Sequence, residues 1–240
     1  DKGQLLYNSY RIKILHPNAL QLGNLSIGWN PAAGAPVVHV IKIYRDHEVI
    51  DVLRDASFEI LRREDQLEAT GLDGNLTAVL RIPDLRVGDE LEFGVTVRTS
   101  DPTLGENDAG VLILPPEPAP GRFHLRLSWE EGHKPNVRMS QDMVAAAQQS
   151  AKALDYRFDN PPSVTPPKDA PPRYLWRRVV EYSGFADWAS ISRRFAPLFA
   201  DASKLDANSP LKREAARIAV AHQQPLDRAN AALKLVQQDV

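Results

Sequence analysis

The chain has 240 residues, of which 43% are hydrophobic and 25% are charged, with a formal net charge of -2. This composition is typical of a soluble globular protein that is long enough to bury a core without disulfides or metal, and the scattered arginines argue against a nucleic-acid partner. The sequence contains no cysteine, which excludes a disulfide framework, a thiolate metal site and a cysteine nucleophile within these residues.

Alternation of apolar and polar residues predicts a series of short strands through the first part of the chain. The alternating runs lie at residues 10–15, 25–29, 37–44, 49–53, 77–82, 91–98, 110–114 and 123–129. The clearest begins at Leu91, after a turn that contains Pro83, Asp84 and Gly88. Many short strands separated by proline and glycine predict a mainly β fold, an antiparallel multi-stranded β-sandwich over residues 1-160.

Two segments of this region do not follow a simple local pattern. Arg45-Asp46-His47-Glu48 joins two predicted strands as a hairpin, although it has no glycine to supply a positive φ. The alanine-rich run 143–154 predicts a helix or an irregular segment, with Ser140 as a candidate N-cap. Tyr156-Arg157-Phe158 alternates as a strand does.

The pattern changes after residue 160. Residues 161-174 are rich in proline and predict an extended connector and a domain boundary. Residues 175-240 predict one last strand at 176–182 and then a small C-terminal helical segment. Its first helix places Phe185, Trp188, Ile191, Phe195 and Leu198 on one face. The two further helices are predicted to begin at Pro210 and Pro225.

Four short motifs occur in order along the chain. They are Ile43-Tyr44-Arg45-Asp46, Leu67-Glu68 with Leu72-Asp73-Gly74-Asn75-Leu76-Thr77, Ile82-Pro83-Asp84-Leu85-Arg86-Val87-Gly88-Asp89, and Phe185-Ala186-Asp187-Trp188-Ala189. Together they resemble a bacterial domain of unknown function that is found N-terminal to a transglutaminase-like, cysteine protease-like core. One departure is His47, which stands where members of that family usually carry glycine, so the type of the hairpin turn stays open.

The resemblance implies a partner domain. Residues 175-240 would lead into a transglutaminase-like core of the same polypeptide, and the segment from Ala232 to Gln238 resembles the helix that opens it. The nucleophilic cysteine of that core would follow this chain. The resemblance also implies export to the periplasm or cell envelope. No apolar run is long enough to predict a membrane span.

The chain offers few candidates for chemistry. Asp84 and Asp89 could form a carboxylate pair or a calcium site, but turn and loop capping is the simpler interpretation. The six histidines show no zinc-ligand spacing, so no metal or other cofactor is expected. Ser183-Gly184 lacks the glycine that precedes the serine in a nucleophile elbow.

Aromatic and basic residues near the last predicted strand are candidates for a binding surface. Trp176, Tyr182, Phe185 and Trp188 could form a platform for sugar or peptide, although their spacing favours core packing. Arg177 and Arg178, like Arg193 and Arg194, could bind an acidic partner or simply face solvent. The candidate binding surface is therefore Trp176, Arg177, Arg178 and Tyr182.

We interpret the chain as a noncatalytic N-terminal scaffold or substrate-recognition module whose partners are the downstream core and a peptide or envelope protein. The alternative is a free-standing carbohydrate- or peptide-binding β-sandwich module, which an exposed row of aromatic side chains on one strand face would favour. A third class is an enzyme that acts without cysteine, which activity assays on this chain would test.

Overall fold

The computed structural model describes residues 3–62, 74–115, 120–164, 168–169, 171 and 178–238. The chain divides into two compact units, Asp1–Ala186 and Asp187–Val240. The strands of the first unit are β1 (Gln4–Lys13), β2 (Asn24–Trp29), β3 (Val37–Arg45), β4 (Glu48–Asp51), β5 (Glu59–Arg62), β6 (Leu76–Arg81), β7 (Glu90–Thr99), β8 (Ala109–Ile113), β9 (Arg122–Ser128), β10 (Asn136–Met139), β11 (Gln148–Gln149), β12 (Ala153–Asp159) and β13 (Val179–Ser183). The predicted mainly β, sandwich-like fold is confirmed.

The strands β1 to β7 build a first sandwich from two antiparallel sheets, with strand orders β1-β7-β3-β4 and β2-β6-β5. Their facing sides share one core, in which Ile41 and Leu91 are fully buried and Ile27 is 5% exposed. The register pairs Leu91 with Ile43 and Phe93 with Ile41 across β7 and β3. The alternating run that begins at Leu91 therefore faces the core, as its period of two predicts.

The strands β8 to β13 build a second sandwich, with strand orders β10-β13-β8 and β11-β12-β9. Met143, Leu154, Tyr156 and Val180 form its buried centre. The alanine-rich run is helical only in the single turn α1 (Gln141–Val144), and the chain then enters β11 and β12. Leu154 pairs with Leu127 of β9, so sheet pairing outweighs the helix propensity of this run.

The strand β13 follows the proline-rich segment and lies between β10 and β8. Val180 of β13 pairs with Leu112 on one side and Met139 on the other. A strand from beyond residue 174 therefore completes the second core. Residues 176 and 177 of the predicted last strand lie outside the described residues.

The second unit consists of α2 (Trp188–Ala202), α3 (Pro210–Ala221) and α4 (Pro225–Gln238). The predicted helix starts at Pro210 and Pro225 are confirmed. The helix α2 begins at Trp188 instead of Phe185, because the Asp187 side chain accepts a hydrogen bond from the Ser190 amide at 2.6 Å and caps the first turn. None of the described helices is both long enough and apolar enough to cross a bilayer.

The hairpin between β3 and β4 is a two-residue turn, since Arg45 pairs directly with Glu48. The left-handed residue of this turn is Asp46, with φ of 51°. His47, which occupies the position expected to carry glycine, is not among the residues with positive φ. An aspartate tolerates the left-handed region better than most residues, because its short polar side chain can bond locally.

Candidate functional site

The β1–β2 connection and the β6–β7 turn meet at one end of the first sandwich, which we call the rim. The Ile82 amide donates to the Gly23 carbonyl at 2.8 Å, and the Gly88 amide donates to the Ile14 carbonyl at 2.7 Å. The Ile14 amide donates in turn to the Asp89 carbonyl at 2.8 Å. These bonds tie the β1–β2 connection to the β6–β7 turn, so the rim is a braced structure.

The side chain of Arg45, at the end of β3, binds Asp84 and Asp89 of the β6–β7 turn across the rim. Its Nε and Nη2 atoms each lie 2.9 Å from one carboxylate oxygen of Asp89. Its Nη1 atom donates to Asp84 Oδ2 at 3.1 Å, and Nη2 also donates to the Asp84 carbonyl at 2.6 Å. Asp89 is only 3% exposed. This bidentate geometry is the strong form of an arginine–carboxylate pair.

Both aspartates are held in their ionised forms. Hydrogen bonds from Arg45 lower the pKa of Asp89 in spite of its burial, and the amide of Arg86 adds a further bond at 2.8 Å. Hydrogen bonds from Arg86 and then Arg45 lower the pKa of Asp84. The same pairing with Asp89 raises the pKa of Arg45. Carboxylates committed in this way are poor general acids, and the loop-capping interpretation of Asp89 is confirmed.

Two depressions flank the β6–β7 turn, and Arg81, Pro83 and Asp84 line both. The larger, of about 730 Å³, lies on the side of Leu20 and Leu85. The smaller, of about 400 Å³, we call the rim cleft. Its apolar wall includes Ile43, Ile50, Val52, Leu80 and Pro83, and its polar residues include Arg45, Asp51, Asp55, Ser57, Arg81 and Asp84. Both volumes fall in the range of ligand sites.

The polar residues of the rim cleft fall into two groups. Arg45 and Asp84 are engaged in the ion-pair network. Asp51, Asp55 and Arg81 are exposed, and their side chains make no hydrogen bond or ion pair within the described part of the chain. Sequence reasoning missed these three residues, because they lie on separate strands and turns and share no local motif.

The predicted binding-surface residues do not form one described surface. Trp176 and Arg177 lie outside the described residues. Arg178 is 6% exposed, so it lies in the interior. Its guanidinium donates to the carbonyls of Pro115 and Pro162, and its backbone amide donates to Asp142 Oδ2 at 3.1 Å. Arg178 therefore joins segments of the second sandwich.

Tyr182 lies at the junction of the two sandwiches. Its hydroxyl donates to Gln4 Oε1 at 2.7 Å, and Gln4 Nε2 donates to the Ala109 carbonyl at 3.1 Å. The ring lies over Gly110, where an added Cβ would be 2.5 Å from the Tyr182 hydroxyl. Burial and the nearby Asp108 carboxylate raise the pKa of Tyr182. This side chain connects β13 to β1.

The last two residues of the predicted aromatic platform, Phe185 and Trp188, lie in different units. Phe185 is 8% exposed in the first unit, and its carbonyl accepts a hydrogen bond from Asn136 Nδ2 at 2.8 Å. Trp188 begins α2 and is 84% exposed. Core packing was expected for both, and it is observed for Phe185 only.

A different aromatic surface lies on the outer face of the β1-β7-β3-β4 sheet. Tyr7 is 60% exposed, and its ring meets His39 edge-on at 5.7 Å between centroids. Tyr44 lies on the same face with the Arg11 guanidinium 3.8 Å above its ring. Between them is Gly94, where an added Cβ would lie 3.0 Å from Val40 Cγ1. Gly94 is buried on this face, because the side chains of Val40, Ser9 and Tyr7 cover it.

The histidines make isolated contacts, such as that of His124 Nε2 with Asp155 Oδ1 at 2.8 Å. Over residues 3–62, 74–115, 120–164 and 178–238, no three side chains of His, Asp or Glu form a group that could hold a metal ion.

Comparisons with known proteins address the family and the fold. The family model of the Domain of Unknown Function with solved-structure structure (DUF3857) matches residues 1–162. No curated protein matches the chain at a significant level. A crystal structure of a "putative protease" from Parabacteroides distasonis has a TM-score of 0.70 and 12% identity, and the match covers 99% of this chain and 47% of that chain.

At 12% identity that likeness is one of fold. This chain spans about half the length of the protein in that crystal structure. Because the family model covers more than half of its residues, the chain belongs to the DUF3857 family of domains of unknown function.

Proposed function

We propose that this chain is a noncatalytic module that precedes a transglutaminase-like or cysteine protease-like core in a bacterial protein, and that it supports the core or recognises its substrate. The observation that carries the proposal is the state of the second unit. None of the described side chains from 187 to 237 is buried, while Trp188, Val220 and Leu226 are 84%, 80% and 72% exposed. Helices need an apolar partner surface for stability.

The match to a longer protein supports the same proposal. That protein is named as a "putative protease" and is about twice as long as the region that this chain matches. A catalytic domain of the same polypeptide would supply the surface on which the apolar faces of α2, α3 and α4 pack. The β unit, with its two cores, would then act as support or as a recognition element. Location in the periplasm or cell envelope belongs to the proposal.

The test compares the natural polypeptide with the 240-residue chain by hydroxyl-radical footprinting. Trp188 and Leu226 should be protected in the longer polypeptide and labelled in the shorter one. Leu5, which is 64% exposed on β1, is the control and should be labelled in both. A natural polypeptide that ends at Val240 would contradict the proposal.

A second measurement addresses catalysis. Amide hydrolysis and acyl transfer should be measured with both polypeptides on the same peptide substrates. The longer polypeptide should show turnover that depends on a cysteine in its downstream part, whereas the 240-residue chain should show none. Turnover by the shorter chain would favour the third class, an enzyme without cysteine.

A free-standing carbohydrate- or peptide-binding module is the second candidate, and the exposed ring of Tyr7 is the observation that favours it. Flat rings stack on the apolar faces of sugars, and the rings of Tyr7 and Tyr44 lie on the same outer face of the sheet. A titration of the chain with neutral oligosaccharides should give binding that Tyr7→Ala abolishes. Leu5→Ala, on the same strand, is the matched control and should leave the binding intact.

A further inference from the structure

We infer that the rim cleft binds an extended peptide segment at a lysine or arginine side chain. This inference rests on the recognition role in the proposed function and names the chemistry that would be recognised. Asp51 and Asp55 would receive the cationic head of the side chain, and the guanidinium of Arg81 is a like charge in the same cleft.

The charges of the cleft favour a cationic ligand. Arg45 and Asp84 are already engaged in the ion-pair network, with each other and with Asp89 and Arg86. Two carboxylates, Asp51 and Asp55, and one guanidinium, Arg81, remain in the cleft without an ion pair in the described part of the chain. The first 110 residues as a whole contain 17 acidic and 11 basic residues, a net charge of -6. This negative field would raise the local concentration of a positively charged segment.

The apolar wall of the cleft explains why the ligand should be a long cationic side chain instead of a small cation. Ile50, Leu80 and Pro83 line the cleft together with the carboxylates of Asp51 and Asp55. Lysine and arginine bury their alkyl stems along apolar surfaces while their charged heads stay at polar groups. A volume of about 400 Å³ exceeds the needs of one such side chain and leaves room for neighbouring residues of the peptide.

The ion-pair network gives the cleft a preformed wall. The Arg45 guanidinium donates both to the carboxylate and to the backbone carbonyl of Asp84. Pro83 precedes Asp84, whose φ of 52° is in the left-handed region. Because the β6–β7 turn is already braced, binding does not pay the entropic cost of ordering this wall. Individually weak contacts to exposed side chains can therefore give measurable affinity.

The experiment is a titration of the isotope-labelled 240-residue chain, followed by backbone amide shifts, with the peptide acetyl-Ala-Leu-Lys-Leu-Ala-amide. The same peptide with glutamate in place of lysine is the ligand control. The lysine peptide should cause saturable shifts centred on residues 50–57 and 80–84. Its affinity should exceed that of the glutamate peptide and fall at high salt, because exposed charges are screened.

Three variants are expected to change the affinity for the lysine peptide in different ways. Asp51→Asn with Asp55→Asn should weaken binding of the lysine peptide by about 5-fold, as expected for two exposed ion pairs. Arg81→Gln should tighten it, because a like charge leaves the cleft. The pair Glu130→Gln with Glu181→Gln removes two exposed carboxylates from the second sandwich, and it should leave the affinity unchanged. Thermal unfolding of each variant is the check that its fold is intact.

Equal affinity of the two peptides, shifts centred elsewhere, or weaker binding by Arg81→Gln would overturn the inference. These results are independent of the footprinting of Trp188 and Leu226. Failure at the cleft and failure of the proposed function therefore have separate readouts.

Discussion

The β unit and the helical unit of this chain both have amphipathic elements, but their apolar side chains differ in burial. In the β unit, Ile14, Ile41, Leu91 and Val180 are fully buried. In the helical unit, large apolar side chains recur on helix faces, yet every described residue from 187 to 237 is at least partly exposed. The comparison teaches that an amphipathic pattern predicts an element, whereas a core requires a second surface of matching shape.

The largest expected effect tests this contrast with two leucines. Leu91→Ala removes a fully buried side chain of β7 and should lower the free energy of unfolding by about 3 kcal/mol, because it leaves a cavity. Leu226→Ala removes a side chain that is 72% exposed on α4 and should change it by less than about 0.5 kcal/mol. Urea unfolding followed by circular dichroism measures both. Equal losses would show that the helical unit has a core of its own.

A second pair of variants tests whether a charged side chain also contributes more stability in the β unit than in the helical unit. Asp89→Ala should lower the free energy of unfolding by about 2 kcal/mol, because it leaves the Arg45 guanidinium, 19% exposed, without its main partner. Asp187→Ala removes the exposed cap of α2 and should leave the main unfolding transition in place. The urea midpoint of each variant is the measurement, and a null effect of Asp89→Ala would exclude the rim network as a source of stability.

The stability of the β unit should fall in acid through the same network. Because Arg45 lowers the pKa of Asp89 below its ordinary value of 3.8, the unfolded state binds a proton first as the pH decreases. The stabilisation by Asp89 is therefore present above about pH 4 and is lost as the pH falls through the lower pKa of the folded state. Asp89→Asn should flatten the dependence of the urea midpoint on pH below about 4. An unchanged dependence would contradict the assignment.

The smallest expected effect concerns the junction of the two sandwiches. Tyr182→Phe removes the hydrogen bond to Gln4 and should cost about 1 kcal/mol. Tyr7→Phe is the matched control, since this ring is 60% exposed, and should change the free energy of unfolding by less than about 0.5 kcal/mol. Unfolding monitored separately for each sandwich would also show whether Tyr182→Phe uncouples them.

The local pattern of the sequence determined the elements with strong periods and clear boundaries. The alternation from Leu91 to Val97 and the prolines at 210 and 225 depend on neighbouring residues only, so β7, α3 and α4 could be predicted. The mainly β class followed from the number of such runs. The strands β5, β10 and β11 were not predicted, because they are only two to four residues long and exist through pairing with a neighbouring strand.

Tertiary structure alone decided the candidate site. Arg45 meets Asp89 across 44 residues of sequence, and Asp51, Asp55 and Arg81 converge on one cleft from different elements. It also decided that Arg178 is interior, although a pair of arginines looks like a surface feature in the sequence. Periodicity is a property of neighbouring residues, whereas burial and convergence depend on which sheets face each other. The sequence therefore determined the elements of this protein, and packing determined its surfaces.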